Sequence, residues 1–253
     1  MKIYILTDLE GVTGVYKFEQ TREKGAANHE AVKMMMTDIA AVAEGLKKGG
    51  ATEIYALDGH GGGHNFLPEL MVSGVRYIVG RAASGELLAG LDSSFDGMVL
   101  LGYHAMNGTP DGLLHHTQSS VGEMKFFYNG IERGEIYQMS VIAGHFDVPV
   151  ILVTADVAGC REARATLGDN LPTVAVKKGL GRESAILLSQ EDTYKKLSES
   201  AEKAMITLPN LKPFKETYPI NLRITQKGSG SDENPYFSKR EVVINNALEI
   251  VGL

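Results

Sequence analysis

The sequence holds little cysteine and no long hydrophobic run. Cys160 is the only cysteine, so the chain cannot form an internal disulfide, and we expect a reducing compartment. No uncharged stretch reaches the roughly 18 residues that a membrane-spanning helix needs. The first apolar run ends early, at Asp8 and Glu10, so we expect no signal peptide. These absences predict a soluble, cytoplasmic protein.

Composition narrows the class of protein further. The 29 glycines and 8 prolines follow no collagen-like period. The formal charge of −6 is only mildly acidic, so we expect neither nucleic acid nor a membrane surface as a partner. With 43% hydrophobic residues, the chain of 253 residues is too apolar to be disordered and long enough to bury a large core.

Apolar segments and helical periodicity alternate along the first 154 residues. They predict an α/β fold with a mostly parallel sheet flanked by helices, because parallel strands are buried on both faces. A smaller C-terminal α/β lobe is expected, which divides the chain into a larger region (1–190) and the lobe (191–253), either as two domains or as two subregions of a single domain. The predicted strands are 2–6, 52–57, 75–79, 97–101, 124–128, 148–154 and 220–224. The predicted helices are 28–48, capped by Asn28, and 135–146, 183–188, 192–206 and 240–251, with a loop over 227–238.

Acidic and imidazole side chains follow several of these strands. Because ligands bind beyond the carboxyl ends of parallel strands, residues at those ends are expected to lie together. They are Asp8 and Glu10 after the first strand, Asp58, His60 and His64 after the second, His104 after the strand 97–101, His115 and His116 in a nearby loop, and Glu135 at a helix start.

This mixture of nitrogen and oxygen donors suits zinc, and it exceeds what one zinc ion needs. Two ions carry a charge of +4, which Asp8, Glu10, Glu135 and a bridging hydroxide would neutralise. Each residue also has a purely structural interpretation: an acidic loop, a turn histidine, a buried hydrogen-bonded histidine or a first-turn helix acid. Since all of those interpretations must hold together to leave no site, we favour the metal site.

Five motifs, spread over residues 1–189 in a fixed order, resemble the D-aminopeptidase family of binuclear zinc peptidases, peptidase family M55. They are Thr7-Asp8-Leu9-Glu10-Gly11-Val12-Thr13-Gly14, Asp58-Gly59-His60, Leu101-Gly102-Tyr103-His104-Ala105, Gly134-Glu135 and Asp147-Val148-Pro149-Val150. The resemblance implies two zinc ions per chain and release of N-terminal D-amino acids, D-alanine above all, from short peptides and amides by a metal-activated hydroxide. It also implies a homodecameric ring.

The resemblance also assigns roles to single residues. Asp8 would bridge two zinc ions, with the remaining ligands being Glu10, His60, His104 and Glu135. The catalytic histidine would be His116, with His115 as its competitor. Glu132 is the alternative to Glu135 as a ligand, and Gly134, which directly precedes Glu135 in the motif, favours Glu135. Arg182, which enters the predicted helix 183–188, would bind a substrate carboxylate or else lie in a solvated basic loop. Asp58 is either a partner for a metal-binding histidine or a turn residue at the strand end.

Two other functions remain open on the sequence alone. One is a magnesium-dependent phosphatase of the haloacid-dehalogenase type, in which Asp8 is the nucleophile, although magnesium prefers oxygen ligands and the histidines would have no role. The other is a non-catalytic, zinc-stabilised assembly protein in which the same ligands form closed sites.

Overall fold

The computed structural model describes residues 1–22, 24–82, 86–228 and 236–252, with the backbone alone at 236–238. The strands, in chain order, are β1 (Lys2–Thr7), β2 (Glu53–Asp58), β3 (Val75–Ile78), β4 (Gly97–Leu101), β5 (Lys125–Tyr128), β6 (Ile131–Arg133), β7 (Val150–Asp156), β8 (Thr173–Gly181), β9 (Ser184–Leu187), β10 (Ile220–Lys227) and β11 (Tyr236–Ile244). The α-helices are α1 (Glu19–Arg22), α2 (Ala26–Lys48), α3 (Glu135–His145), α4 (Val157–Leu167) and α5 (Gln190–Thr207).

The larger sheet has seven strands in the order β3-β2-β1-β4-β7-β8-β9. The first six run parallel, and only β9 is antiparallel to its neighbour. Side chains alternate between the two faces of β1, so Ile3 and Ile5 pack in one core with α2 and α5, while Tyr4 and Leu6 pack in a second core with α3. The predicted α/β fold with a mostly parallel sheet is therefore confirmed.

The smaller sheet is antiparallel, in the order β11-β10-β5-β6. It combines strands from both sides of residue 190, and α5 packs against the same core as α2. The division of the chain into regions 1–190 and 191–253 stays a prediction.

Three local predictions are wrong. The predicted helix 183–188 is largely β9, because the chain reverses after Gly181 and pairs with β8. Residues 240–244 of the predicted helix 240–251 belong instead to β11, where Val242, Val243 and Ile244 favour a strand and pair with β10. Asn28 lies inside α2 and donates to the carbonyl of Gln20 at 2.9 Å rather than capping the helix.

Other boundaries differ by a few residues. The loop predicted over 227–238 falls largely on residues 229–235, outside the described residues, while 236–238 belong to β11. The strand β8 was not predicted, since Lys177 and Lys178 interrupt its apolar pattern.

The carboxyl ends of β1, β2 and β4 meet at one edge of the larger sheet, where their registers pair Thr7 with both Asp58 and Leu101. The polar segments that follow these strands therefore begin side by side. Within the described residues, the helices are too short or too polar to cross a membrane.

Candidate metal centre

The loop after β1 packs tightly against the loop after β4. The amide of Asp8 donates to the carbonyl of Leu101 at 2.8 Å, and that of Gly11 donates to the carbonyl of Gly102 at 2.7 Å. A Cβ at Gly11 would lie 1.8 Å from the carbonyl oxygen of Tyr103, so only glycine fits. This contact holds Asp8 and Glu10 against the loop that carries His104.

His60 faces the two acidic residues. Its Nδ1 lies 3.0 Å from Asp8 Oδ1 and 3.2 Å from Glu10 Oε2. Its Nε2 lies 2.8 Å from the carbonyl oxygen of Thr21, and a carbonyl only accepts, so Nε2 carries the proton. In its neutral form, which is the form that binds a metal ion, the ring presents a lone pair at Nδ1 to two carboxylates.

His104 repeats this arrangement on the other side of Asp8. Its Nδ1 donates to the carbonyl of Ala105 at 3.0 Å, which leaves a lone pair at Nε2 of the neutral ring. Nε2 lies 3.3 Å from Asp8 Oδ2 and 3.5 Å from Glu135 Oε1. The two oxygens of Asp8 thus face two different histidines, as expected of a carboxylate that bridges two ions.

Glu135 and His116 complete the cluster. Glu135 is the first residue of α3, and its Oε1 accepts from the amide of Gln118 at 2.7 Å. His116 donates from Nδ1 to the carbonyl of Leu114 at 2.9 Å, so its Nε2 is the free nitrogen and lies 3.8 Å from Glu135 Oε1. The ring stacks on His104 with centroids 4.0 Å apart.

In the metal-free protein the carboxylates and histidines shift one another's pKa values. Burial alone raises the pKa of Asp8, but His104 and His60, which are protonated when no metal is bound, bring it well below its usual value. Burial alone lowers the pKa of His104, but Asp8 and Glu135 raise it to about 10. Burial and the charge of His104 lower the pKa of His116. The three carboxylates of the cluster therefore favour bound positive charge, which is supplied by protons in the metal-free protein.

The donor set fits zinc. Among the described residues, neither Glu10 Oε2 nor His104 Nε2 has a hydrogen-bond partner, although both atoms are buried. Lone pairs that face carboxylate oxygens repel unless a cation lies between them, and a zinc ion would replace the protons that these nitrogens carry in the metal-free protein. Two ligands bound about 2.0–2.2 Å from a tetrahedral zinc ion lie roughly 3.3–3.6 Å apart, which is close to the 3.0–3.5 Å between these nitrogens and oxygens.

The other predicted residues lie around this cluster. His115 turns away and accepts from the amide of Gly108 at Nδ1, and burial and the charge of Arg182 lower its pKa to about 4. Asp58 accepts from the amides of His60 and Asn65, so it shapes the loop and not the imidazole ring. His64 is exposed.

Two further predicted residues form ion pairs. Glu132, the competitor of Glu135, pairs with Lys125 at 3.1 Å. Arg182 lies in the turn between β8 and β9, not at the start of a helix, and its Nη1 donates to Glu123 at 3.1 Å.

Sequence reasoning missed the groups that orient the histidines. They are the main-chain carbonyls of Thr21, Ala105 and Leu114, to which no side-chain pattern points. It also missed Lys177, which lies in the sheet behind the Glu10 loop. A lysine within an otherwise apolar strand is the signal that was available for it.

Comparisons with known proteins agree with the fold. The family model described as D-aminopeptidase, of peptidase family M55, matches residues 1–234. The D-aminopeptidase of Bacillus subtilis is 31% identical over 216 residues, which cover 85% of this chain and 77% of that protein. A solved structure named as a zinc-dependent D-aminopeptidase from Bacillus subtilis, a self-compartmentalizing protease, has the same fold, with a TM-score of 0.89 at 23% identity over 100% of this chain and 94% of that one. The chain therefore belongs to the D-aminopeptidase family of peptidases.

Proposed function

We propose that this protein is a zinc-dependent aminopeptidase that removes N-terminal D-amino acids, D-alanine above all, from short peptides and amides. The observation that carries the proposal is the pair of histidines, His60 and His104, whose free nitrogens face the two oxygens of Asp8. Membership of the D-aminopeptidase family and the zinc dependence of the structurally similar protein support it.

Two zinc ions per chain would share Asp8. We assign Glu10 and His60 to one ion, and His104 and Glu135 to the other. The three carboxylates contribute −3 against a metal charge of +4, which keeps a largely buried site close to neutral. When bound, such ions lower the pKa of water toward neutrality and polarise a carbonyl oxygen.

We propose His116 as the catalytic residue. The bond from Nδ1 to Leu114 fixes its tautomer, so Nε2 can accept a proton from the attacking water and return it to the leaving amine. Contact with His104 on one side and the edge of Phe18 on the other limits rotation of the ring. His115 differs, because its Nδ1 accepts from the amide of Gly108, so Nε2 of the neutral ring carries the proton and cannot accept another.

Arg182 would bind the carboxylate of a short peptide, together with Arg22. Both guanidinium groups lie against Phe18, at 5.1 Å and 3.7 Å from its ring centre. Burial and the charge of Arg182 lower the pKa of Arg22, so an anion between them would be favoured. We expect R182A to raise KM for a D-alanyl dipeptide about tenfold and to leave KM for a D-alanyl amide, which has no carboxylate, within twofold. Equal effects on both substrates would contradict this role.

We also propose a homo-oligomer, as a decameric ring in the cytoplasm. The support is the self-compartmentalizing relative of the same fold. Light scattering on the purified protein should give the mass of ten chains. A monomeric mass would contradict this assembly.

The proposed function is tested by metal content and by hydrolysis of matched D- and L-aminoacyl amides. We expect two zinc ions per chain and faster turnover of D-alanyl amide than of its L-isomer. H116A should lose at least about 100-fold in kcat with zinc retained, whereas H115A, the matched control, should stay within threefold. A loss of less than tenfold in zinc-loaded H116A contradicts its role. Magnesium-dependent turnover of a phosphomonoester by zinc-free protein would favour the phosphatase instead.

A further inference from the structure

A lysine lies buried in the sheet directly behind the acidic loop. Lys177, in the middle of β8, is 2% exposed, whereas Lys178, the next residue, points to the other face and is exposed. Burying an ammonium group is costly unless hydrogen bonds replace its water. The function described above leaves Lys177 without a role.

The ammonium group is saturated by three main-chain carbonyls of a single loop. Its Nζ donates to the carbonyls of Glu10 and Val12, each at 2.7 Å, and to that of Val15. A lysine ammonium has three donors and no acceptor, so all of its hydrogen bonds go to this segment. Three carbonyl oxygens that point at one place repel unless a cation lies there, so Lys177 holds the loop in its observed conformation.

Buried carboxylates surround this charge and are themselves held in place. Asp38, from α2, accepts from the amide of Thr13 at 3.0 Å, inside the same loop. Asp156, at the end of β7, accepts from the amides of Leu113 and Gly159. Burial lowers the pKa of Lys177 to about 7, while the charges of Asp156 and Asp38, together with the three carbonyl acceptors, favour the protonated lysine. The loop is therefore fixed at its carbonyls by Lys177 and at one amide by Asp38.

We infer that Lys177 is a positioning residue for the metal centre, acting through the main chain of residues 10–15. By holding the carbonyl of Glu10, it keeps the Glu10 carboxylate 3.2 Å from His60 Nδ1 and so sets the affinity of that side of the centre for zinc. The inference rests on the proposed role of Glu10 as a zinc ligand. Lys177 itself touches neither the metal position nor the substrate.

The test compares K177M with K178M in the full-length protein. K177M keeps the length of the side chain and removes the three donors, while K178M makes the same change on the exposed face. Zinc is removed by chelation, and its dissociation constants are then measured by competition with a chromophoric chelator. Removing a group that orients a metal ligand typically weakens metal binding 10–100-fold. We expect a weakening of at least tenfold for one zinc ion in K177M and less than twofold in K178M.

A purely structural role gives a different result. It would lower the melting temperature of zinc-free K177M and leave the zinc dissociation constants of the folded variant within twofold of wild type, which would overturn the inference. Should K177M not fold, K177R keeps the charge but cannot match three carbonyls with its planar group, and we expect at least threefold weaker zinc binding. Unchanged binding in folded K177R would overturn the inference.

Wild-type protein separates this inference from the proposed function. If it binds zinc but hydrolyses no D-aminoacyl amide, the proposed activity is wrong, and the comparison of K177M with K178M still decides the role of Lys177. If it binds no zinc, both fail together.

Discussion

Replacing Gly11 by alanine is predicted to move Asp8 and Glu10 away from His104 in the proposed metal centre. In G11A, the new Cβ would lie 1.8 Å from the carbonyl oxygen of Tyr103 and 2.7 Å from that of Gly102. Ordinary contact between such atoms begins at roughly 3.4 Å, so the loops must move apart by about 1.5 Å. That movement carries Asp8 and Glu10 away from His104, whereas zinc sites tolerate only about 0.2 Å.

The expected losses are large and affect binding as well as stability. Overpacking costs about 1–3 kcal/mol, and each kcal/mol lowers the Tm of a protein of this size by roughly 2–4 °C. We expect zinc to bind at least about tenfold more weakly, and kcat to fall about 100-fold, as for a 1 Å misplacement of reacting groups.

Calorimetry of zinc-free and zinc-loaded protein, chelator competition and D-alanyl amide hydrolysis measure these effects. G25A is the matched control, because Gly25 has an extended backbone and a Cβ there meets no described atom within 4 Å. If G11A binds two zinc ions with wild-type affinity and keeps more than half of the wild-type kcat, the tight loop contact does not organise the site.

Two further predictions concern zinc-free protein. Burial raises the pKa of Glu162 to about 7, so the stability contributed by its protonated form is lost as the pH rises from about 4.5 to 7. E162Q should therefore raise the free energy of unfolding by roughly 1–3 kcal/mol at pH 8 and change it little at pH 4.5. Equal effects at both pH values in urea denaturation would contradict this. Because Asp8 and Glu135 raise the pKa of His104 to about 10, the stabilisation by its proton is present below about pH 6.5 and is lost as the pH rises to 10. The Tm after chelation should thus fall over that range while that of zinc-loaded protein changes less, and parallel profiles in calorimetry would refute the argument.

The sequence predicted those parts of the molecule that depend on local pattern. The strands β1, β2 and β4 are continuous apolar runs, because both of their faces are buried. Their carboxyl ends meet in a parallel sheet, so the convergence of Asp8, His60 and His104 follows from topology alone. The distances between these residues agree with that prediction.

Long-range pairing explains most of what was missed. The segments of β9 and β11 have mixed local patterns, and their conformation is decided by pairing with β8 and β10. The choice between His115 and His116 also lay beyond sequence spacing. The backbone of Leu114 has a φ of 52°, an unusual value that shapes the loop from which His116 enters the cluster and His115 does not.

The buried lysine shows a different limit. The sequence shows two adjacent lysines in one strand and cannot say which of them is buried, because either face of β8 can point to the core. Only the position of the Glu10 loop identifies Lys177 as the buried one.

The central claim is that Asp8 bridges two zinc ions. The most direct measurement is anomalous diffraction at the zinc edge from crystals of the zinc-loaded protein. We predict two peaks about 3.5–4 Å apart, one beside each oxygen of Asp8, with His60 bound to the first ion and His104 to the second. A single peak, or zinc bound away from Asp8, would contradict the account.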